Sequence, residues 1–216
     1  MAAQDRHSLS RLTTLTDGVF AIALTVLVLQ IPVPRIADHD SARQLRAALA
    51  RLEGQFVSYA ATFVIIAAFW QQHRRVFRLT GRHDETVARL NSLFLLLIAF
   101  LPFPSALVGR YGSNAAAVVF FDLCVMAVAL AFILLWLRLH RSGDFTDRLP
   151  SAYSRWILLR TVCVFLGLAV SAVVALFDAD VGTYVWLGVF LMLFALNLLF
   201  RPVIRRADTT GEDTDG

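Results

Sequence analysis

The chain has 216 residues, of which 58% are hydrophobic and only 17% are charged, and its mean hydropathy is +0.66. This balance is too apolar for a soluble domain of this length and indicates an integral membrane protein. The net charge of +4 does not indicate a nucleic-acid partner, because the arginines lie at the ends of hydrophobic segments and form no patch with interleaved aromatic residues.

Six hydrophobic segments are long enough to cross about 30 Å of hydrocarbon as helices. They are predicted, in chain order, at about residues 12–32, 55–77, 89–109, 115–138, 155–177 and 183–201. The sequence therefore predicts an all-α fold in which residues 1–206 form a single six-helix transmembrane domain. The acidic and polar segment 207–216 is predicted to be a disordered cytoplasmic tail.

Prolines and leucines mark the ends and connections of these segments. Pro32 and Pro34 cannot continue a helix and are predicted to end the first span. Pro102 and Pro104 predict a kink or an early end in the third span. Leucines at helical spacing between residues 35 and 53 predict a short interfacial helix that leads into the second span.

The arginines are distributed unevenly between the two sides of the predicted bundle. Fourteen lie in the terminal segments and in the connections 71–89 and 138–155, whereas five lie in the other three connections. Positive charge is enriched on the cytoplasmic side of membrane proteins. We therefore expect a multi-pass protein of the cell (inner or plasma) membrane with both termini in the cytoplasm.

The first span carries a narrow stripe of residues that is a candidate pore lining. Ile22, Thr25 and Leu29 fall within about 60° of the helix circumference. One helix cannot enclose a channel, so a pore along this stripe requires several symmetric copies of the chain. Rings of Ile and Leu can gate by dewetting, and a ring of Thr offers hydroxyl oxygens to an ion. Ordinary helix packing is the alternative interpretation of the same stripe.

Several polar residues share one depth near the cytoplasmic side. Arg11 and Asp17 lie at the start of span one, His73 at the end of span two and Asn91 at the start of span three. An ionised Asp near hydrocarbon needs partners, and we expect His73 or Asn91 to supply them. The alternative is that these residues are separate interfacial anchors whose polar ends reach water.

The segment from Arg11 to Asp17, an Arg, three residues and then Leu-Thr-Asp, resembles a family signature. It is similar to the Arg-x-x-x-Phe-Ser-Asp motif of the transmembrane protein 175 potassium channel family, in its six-helix bacterial members. The segments YAATFVIIAAFWQQHRRVF and LNSLFLLLIAFLPFPSALVG resemble the family as well. Leu15 and Thr16 stand where the family usually has Phe and Ser, and spans four to six agree only in number and length.

The resemblance implies a cation channel, selective for potassium over sodium, in which the first helices of four subunits line a central pore without a pore loop. By position, Ile22 is then the hydrophobic constriction, Thr25 the selectivity layer and Leu29 a second hydrophobic layer. A supporting cluster would hold the pore helix against spans two and three; its members are Arg11, Asp17, Trp70, His73 and Asn91. The implied partners are potassium ions that pass near Thr25, the lipid bilayer and further copies of the chain, with no cofactor and no bound metal.

Two other functional classes fit the sequence less well than a channel does. A proton-coupled secondary transporter would use Asp17 and His73 as a titrating pair, but the sequence has neither the inverted repeat nor the paired broken helices typical of such carriers. An enzyme is not predicted, because the sequence contains no metal-ligand cluster, nucleophile elbow or phosphate loop. It also contains no TVGYG-like carbonyl filter, so only modest potassium selectivity is expected.

Overall fold

The computed structural model describes residues 2–78, 84–141 and 151–199, and these residues form eight helices and no strands. In chain order the helices are α1 (Ala2–Val28), α2 (Ala42–Ala50), α3 (Glu53–Arg78), α4 (Glu85–Phe100), α5 (Pro102–Tyr111), α6 (Ala115–Arg141), α7 (Ser151–Ala175) and α8 (Ala179–Leu199). The all-α prediction is confirmed. The tail predicted at 207–216 lies outside the described residues.

Within the residues that the structure describes, five segments are long and apolar enough to cross a bilayer. They are Arg11–Val28, Glu53–Arg78, Glu85–Tyr111, Ala115–Arg141 and Arg155–Ala175. The third combines α4 and α5, and α8 adds the apolar segment Ala179–Leu193. The six predicted segments thus correspond to helices of the structure.

The break predicted at Pro102 and Pro104 is present in the structure. α4 ends at Phe100 and α5 begins at Pro102, while Leu101 between them keeps helical angles (φ −55°, ψ −31°). Proline is tolerated in the first turn of a helix because no intrahelical donor is lost there. The short helix predicted between residues 35 and 53 is α2, whose first turn is capped by the Ser41 side chain accepting a hydrogen bond from the Gln44 amide.

α6 forms the centre of the bundle and packs against α4 on one side and α7 on the other. Its side chains at Phe121, Val125, Phe132 and Leu135 are almost completely buried. α1 lies at the edge and contacts α3, α4 and α5. Because α1 has neighbours on one side only, its other side is left uncovered by its own chain.

Buried hydrogen bonds between helices supplement this apolar core. The Ser58 hydroxyl donates to the Ser105 carbonyl at 2.6 Å and joins α3 to α5. The Trp186 indole on α8 donates to the Asp122 carboxylate on α6 at 2.9 Å and to the Ser171 hydroxyl on α7 at 3.0 Å. Such bonds stabilise helix association in lipid, where an unpaired polar group has no water to bind.

The connection into α4 is fixed by Asp84. Its carboxylate accepts a hydrogen bond from the Val87 amide at 2.8 Å, which caps the helix, and it also pairs with Arg138 at the end of α6. The backbone hydrogen bond, followed by the bond to the Arg138 guanidinium, keeps the pKa of Asp84 below its ordinary value of 3.8. The cap and the ion pair are therefore intact at neutral pH.

Candidate pore helix and its anchor

α1 has two faces with different environments. Phe20, Ala23 and Leu27 point into the core and are 1%, 3% and 1% exposed. Ile22 and Leu29, in contrast, are 64% and 78% exposed, and Thr25 is exposed between them. Burial of one face against α3, α4 and α5 thus sets the rotation of α1 about its axis and turns the predicted stripe outward.

The exposed face is longer than the predicted stripe. Leu15 and Gly18 are also exposed, and the positions 15, 18, 22, 25 and 29 follow one another at intervals of three and four residues. An alternating three-and-four spacing is the pattern with which helices pack against neighbouring helices over several turns. A Cβ at Gly18 would meet no atom within 4 Å in the chain. The chain itself therefore leaves this face uncovered from Leu15 to Leu29.

The Thr25 hydroxyl donates its proton to the backbone of its own helix, α1. Its Oγ1 donates to the carbonyl of Ile22 at 2.9 Å. A threonine hydroxyl has a single proton and two lone pairs, so this bond leaves the oxygen able to accept from water or to face a cation. The same bond is also compatible with ordinary helix packing, in which a threonine hydroxyl commonly bonds to its own helix.

The predicted first helix was too long at its far end. α1 ends at Val28, and Leu29, Gln30 and Ile31 form short-range turns by donating to the carbonyls three residues earlier. Leu29 therefore lies one position beyond the helix. The chain leaves the helix in a turn there because Pro32 and Pro34 follow, and proline has no backbone N–H to donate to a continuing helix.

Asp17 is bound by Trp70, which corrects the expectation that His73 or Asn91 would be its partner. The Trp70 Nε1 on α3 donates to Asp17 Oδ1 at 2.8 Å. A cation also lies over the face of the indole, because the Arg74 guanidinium carbon is 4.9 Å from the ring centroid. A cation over the ring face and a carboxylate at its N–H edge both match the charge distribution of an indole.

His73 and Asn91 form a second, fully buried connection that reaches α1 through Thr16. The Asn91 Nδ2 donates to Thr16 Oγ1 at 3.2 Å, and the Thr16 hydroxyl donates to the Leu12 carbonyl at 2.9 Å. Since the Asn91 amide nitrogen is the donor to Thr16, its Oδ1 is the acceptor for His73 Nε2 at 2.8 Å. Three helices are thus joined by side chains that are at most 1% exposed.

Aromatic rings enclose His73 on the apolar side of this connection. The Phe77 ring is stacked on the imidazole at a centroid distance of 4.1 Å, and the Phe94 ring is nearly parallel to it at 5.7 Å. Phe20 of α1 contacts the same group with its centroid 6.3 Å from the imidazole. This packing fixes the orientation of His73 and so the direction of its hydrogen bond.

Arg11 lies apart from the other supporting residues. Its side chain is exposed, and among the described residues no hydrogen bond or ion pair joins it to Asp17, Trp70, His73 or Asn91. The structure therefore brings four of the five predicted members together, in two separate connections. It also adds Thr16 and Arg74, which sequence reasoning had not assigned to this cluster.

Comparison with known proteins places these features in a wider group. A family model described as endosomal/lysosomal potassium channel TMEM175 matches residues 11–102. A protein from Streptomyces collinus named as a potassium channel is 37% identical over 142 residues, which are 63% of this chain and 67% of that protein. A zebrafish (Danio rerio) protein named as an endosomal/lysosomal proton channel, TMEM175, is 32% identical over 124 residues, which are 57% of this chain but only 24% of that longer protein.

A solved structure is similar over nearly the whole chain. It is the crystal structure of a lysosomal potassium-selective channel TMEM175 homologue from Chamaesiphon minutus, with a TM-score of 0.72 and 25% sequence identity. The alignment covers 89% of this chain and 97% of that one. The similarity therefore extends through the helices that follow α5, where the sequence resemblance was weakest.

Proposed function

This chain belongs to the TMEM175 family of ion channels, and we propose that it forms a potassium-permeable cation channel whose pore is lined by α1. The observation that carries the proposal is the division of α1 into an anchored face and an exposed face. The anchored face holds Thr16, Asp17 and Phe20 against α3 and α4, whereas the exposed face presents Ile22 and Thr25 away from the chain.

A pore enclosed by this face of α1 requires several copies of the chain around one axis, and we propose four copies. The exposed apolar side chains at Leu15, Ile22 and Leu29 would then be covered by the same residues of neighbouring subunits. Cyclic symmetry places identical residues in rings at one depth. The three-and-four spacing of the exposed positions supports contact of this kind along several turns of α1.

The chemistry of the proposed rings sets the expected conduction properties. A ring of Ile22 provides no oxygen atoms, so it acts as a constriction that water leaves easily, and Leu29 repeats this property at the outer end. The Thr25 ring between them offers hydroxyl oxygens whose protons are directed to the Ile22 carbonyls. Potassium, which gives up its hydration water more readily than sodium, would be favoured modestly at such a layer.

The residues that hold α1 in place are proposed to support the pore without lining it. Asp17, Trp70, His73 and Asn91 all contribute to bonds between α1, α3 and α4 on the side away from the exposed face. Arg11 is proposed to lie at the membrane surface, at the start of the apolar segment of the same helix, and its exposed guanidinium takes no part in these bonds. We propose further that residues 1–206 act as one transmembrane unit in the cell membrane, with both termini and the 207–216 tail in the cytoplasm.

The carrier alternative receives less support from the geometry. It requires Asp17 and His73 to exchange protons, yet these residues take different partners, Trp70 and Asn91. The name of the zebrafish relative makes proton permeation a separate question for this chain. A conduction experiment therefore has to distinguish potassium permeation, proton permeation and carrier transport.

The test is to reconstitute the purified chain in planar bilayers under opposed potassium, sodium and pH gradients. The proposal predicts unitary currents whose reversal potential follows the potassium gradient. A reversal potential that follows the pH gradient alone would indicate that protons, and not potassium ions, permeate. Slow, saturable flux without unitary events would support the carrier.

A further inference from the structure

Arg11 continues the exposed face of α1 by one further turn. At about 100° per residue, Arg11 lies within about 20° of Ile22 and about 40° of Leu15 around the helix axis. Arg11 is exposed, as are positions 15, 18, 22, 25 and 29. From the cytoplasmic end outward, these six positions carry Arg, Leu, Gly, Ile, Thr and Leu, so Arg11 is the only charged residue among them.

The charge of Arg11 is not neutralised within the described part of its own chain. Asp17, the acidic residue of the anchor, lies about 120° from Arg11 around the helix axis and so points to a different side of α1. Its carboxylate accepts the hydrogen bond from Trp70 on α3. Within the residues that the structure describes, no hydrogen bond or ion pair joins the Arg11 guanidinium to another side chain.

Arg11 also marks one end of the apolar length of α1. The apolar segment of the helix is Arg11–Val28, whereas the helix itself begins at Ala2. At a rise of 1.5 Å per residue, Arg11 lies about 6 Å beyond Leu15 and about 16 Å beyond Ile22, on the side proposed to be cytoplasmic. In the proposed pore this is the level at which the ion path leaves the hydrocarbon and enters water. A guanidinium at this level stays hydrated and pays no cost of burial.

We propose that Arg11 lines the cytoplasmic mouth of the pore, where the guanidinium groups of four subunits form a ring that lowers the entry of cations from that side. Arg11 faces the ion path only if the exposed face of α1 does so, and the ring therefore rests on the proposed function. Cyclic symmetry repeats one charge at one depth, and rings of charged side chains govern which ions enter a pore. Potassium entering from the cytoplasm meets this repulsion before the Ile22 constriction, whereas potassium entering from outside meets it afterwards. Conduction is therefore directional.

The size of the effect follows from Coulomb's law in water. Four unit charges about 8 Å from the axis, screened over a Debye length of about 8 Å at 0.15 M salt, lower the concentration of a monovalent cation on the axis about fourfold. At 1 M salt the Debye length is about 3 Å, and the same charges have almost no effect. A current asymmetry that depends on salt in this way is a property of a charge at the mouth, and a merely structural arginine would not produce it.

The experiment compares unitary currents of single reconstituted channels at equal positive and negative voltages in symmetric potassium chloride. At 0.15 M, wild-type channels should pass up to about fourfold less current in one direction than in the other, and at 1 M the two currents should be nearly equal. Arg11→Gln should raise the smaller current close to the larger one, whereas Arg11→Lys keeps the charge and should keep the asymmetry. Arg89→Gln is the matched control, because Arg89 is a 74% exposed arginine in the first turns of α4, outside the face of α1.

Arg11→Cys tests the position of the charge. A thiol reagent that adds a positive charge should restore the asymmetry, and one of similar size that adds a negative charge should raise the formerly smaller current above that of Arg11→Gln. Wild-type chains, which contain Cys124 and Cys163, supply the baseline. Where Arg11→Gln alone yields no assembled channel, co-expression with wild-type chains places it in a fraction of the subunits, and the smaller current should then rise in steps.

Several results would overturn the ring while leaving the pore intact. They are currents of Arg11→Gln equal to wild type in both directions, an equal change in Arg89→Gln, an asymmetry that persists at 1 M salt, and identical effects of the two thiol reagents. Absence of unitary potassium currents in the wild type would instead overturn the proposed pore, and the ring with it.

Discussion

Replacement of Asn91 by leucine tests the proposal that the buried connection holds α1 in place. Asn91→Leu removes two hydrogen bonds, one to Thr16 on α1 and one from His73 on α3, at a site that is 0% exposed. Interhelical side-chain bonds in membranes contribute about 0.6 kcal/mol on average, with a maximum near 1.7. A buried donor left without an acceptor, here His73 Nε2–H, costs about 1–3 kcal/mol. We therefore expect Asn91→Leu to lower the free energy of unfolding by about 1–3 kcal/mol.

The measurement is thermal unfolding followed by tryptophan fluorescence, together with size-exclusion chromatography of the oligomer. Asn91→Leu should lower the melting temperature by several degrees, since about 1 kcal/mol corresponds to roughly 2–4 °C for a chain of this size. Ser92→Ala is the control, because Ser92 is exposed on the same helix and its hydroxyl donates to the Ala88 carbonyl of its own helix. An unchanged melting temperature, or a changed potassium-to-sodium ratio in a normally assembled Asn91→Leu channel, would refute the supporting role.

Four further outcomes are expected. Thr25→Val keeps the shape of the side chain without its hydroxyl and should lower the potassium-to-sodium permeability ratio, and an unchanged ratio in bi-ionic recordings would remove Thr25 from selectivity. Ile22→Asn should hydrate the constriction and raise single-channel conductance; currents equal to wild type would count against that position. Trp70→Phe removes the donor to Asp17 and should reduce the yield of assembled oligomer more than it alters selectivity, as measured by chromatography and recording. Because the pKa of Asp84 is depressed below 3.8, the stability contributed by its cap and ion pair is present above that pH and is lost as the pH falls through the lowered pKa, so Asp84→Asn should show a smaller loss of melting temperature on acidification than wild type.

Hydropathy and proline positions predicted the helical architecture closely, because both act locally along the chain. Hydrophobic length sets where helices cross a bilayer, and proline sets where they end or bend. The break between α4 and α5 at Pro102 follows from the sequence for this reason. The end of α1 was placed too late, because the turns after Val28 still use apolar residues and composition does not distinguish them from a helix.

The partners within the anchor could not be predicted, because they depend on how the helices are rotated against one another. Depth in the membrane predicted that Asp17, His73 and Asn91 lie in one layer. It could not show that the α3 rotation brings Trp70 to Asp17 and directs His73 to Asn91. Thr16 was visible only as a hydroxyl in place of the family's serine, whereas in the structure it is 0% exposed and its hydroxyl accepts the hydrogen bond from the Asn91 amide.

The contact between α3 and α7 could not be predicted for the same physical reason. Arg75 of α3 and Arg160 of α7 both lie against Trp156, and Gln72 donates to Thr161, which lies 89 residues away in the sequence. The sequence of one helix carries no information about such a contact.

The exposed face of α1 is proposed to border the ion path, and cysteine accessibility tests this placement most directly. Thr25→Cys places a thiol on the exposed face, and Ala23→Cys places one on the buried face two residues away. The wild-type chain, with half-buried Cys124 and Cys163, supplies the baseline. A charged, water-soluble thiol reagent should block current through Thr25→Cys and leave Ala23→Cys and wild type unaffected. Unblocked current in reacted Thr25→Cys channels, or equal block in Ala23→Cys, would contradict a pore lined by this face.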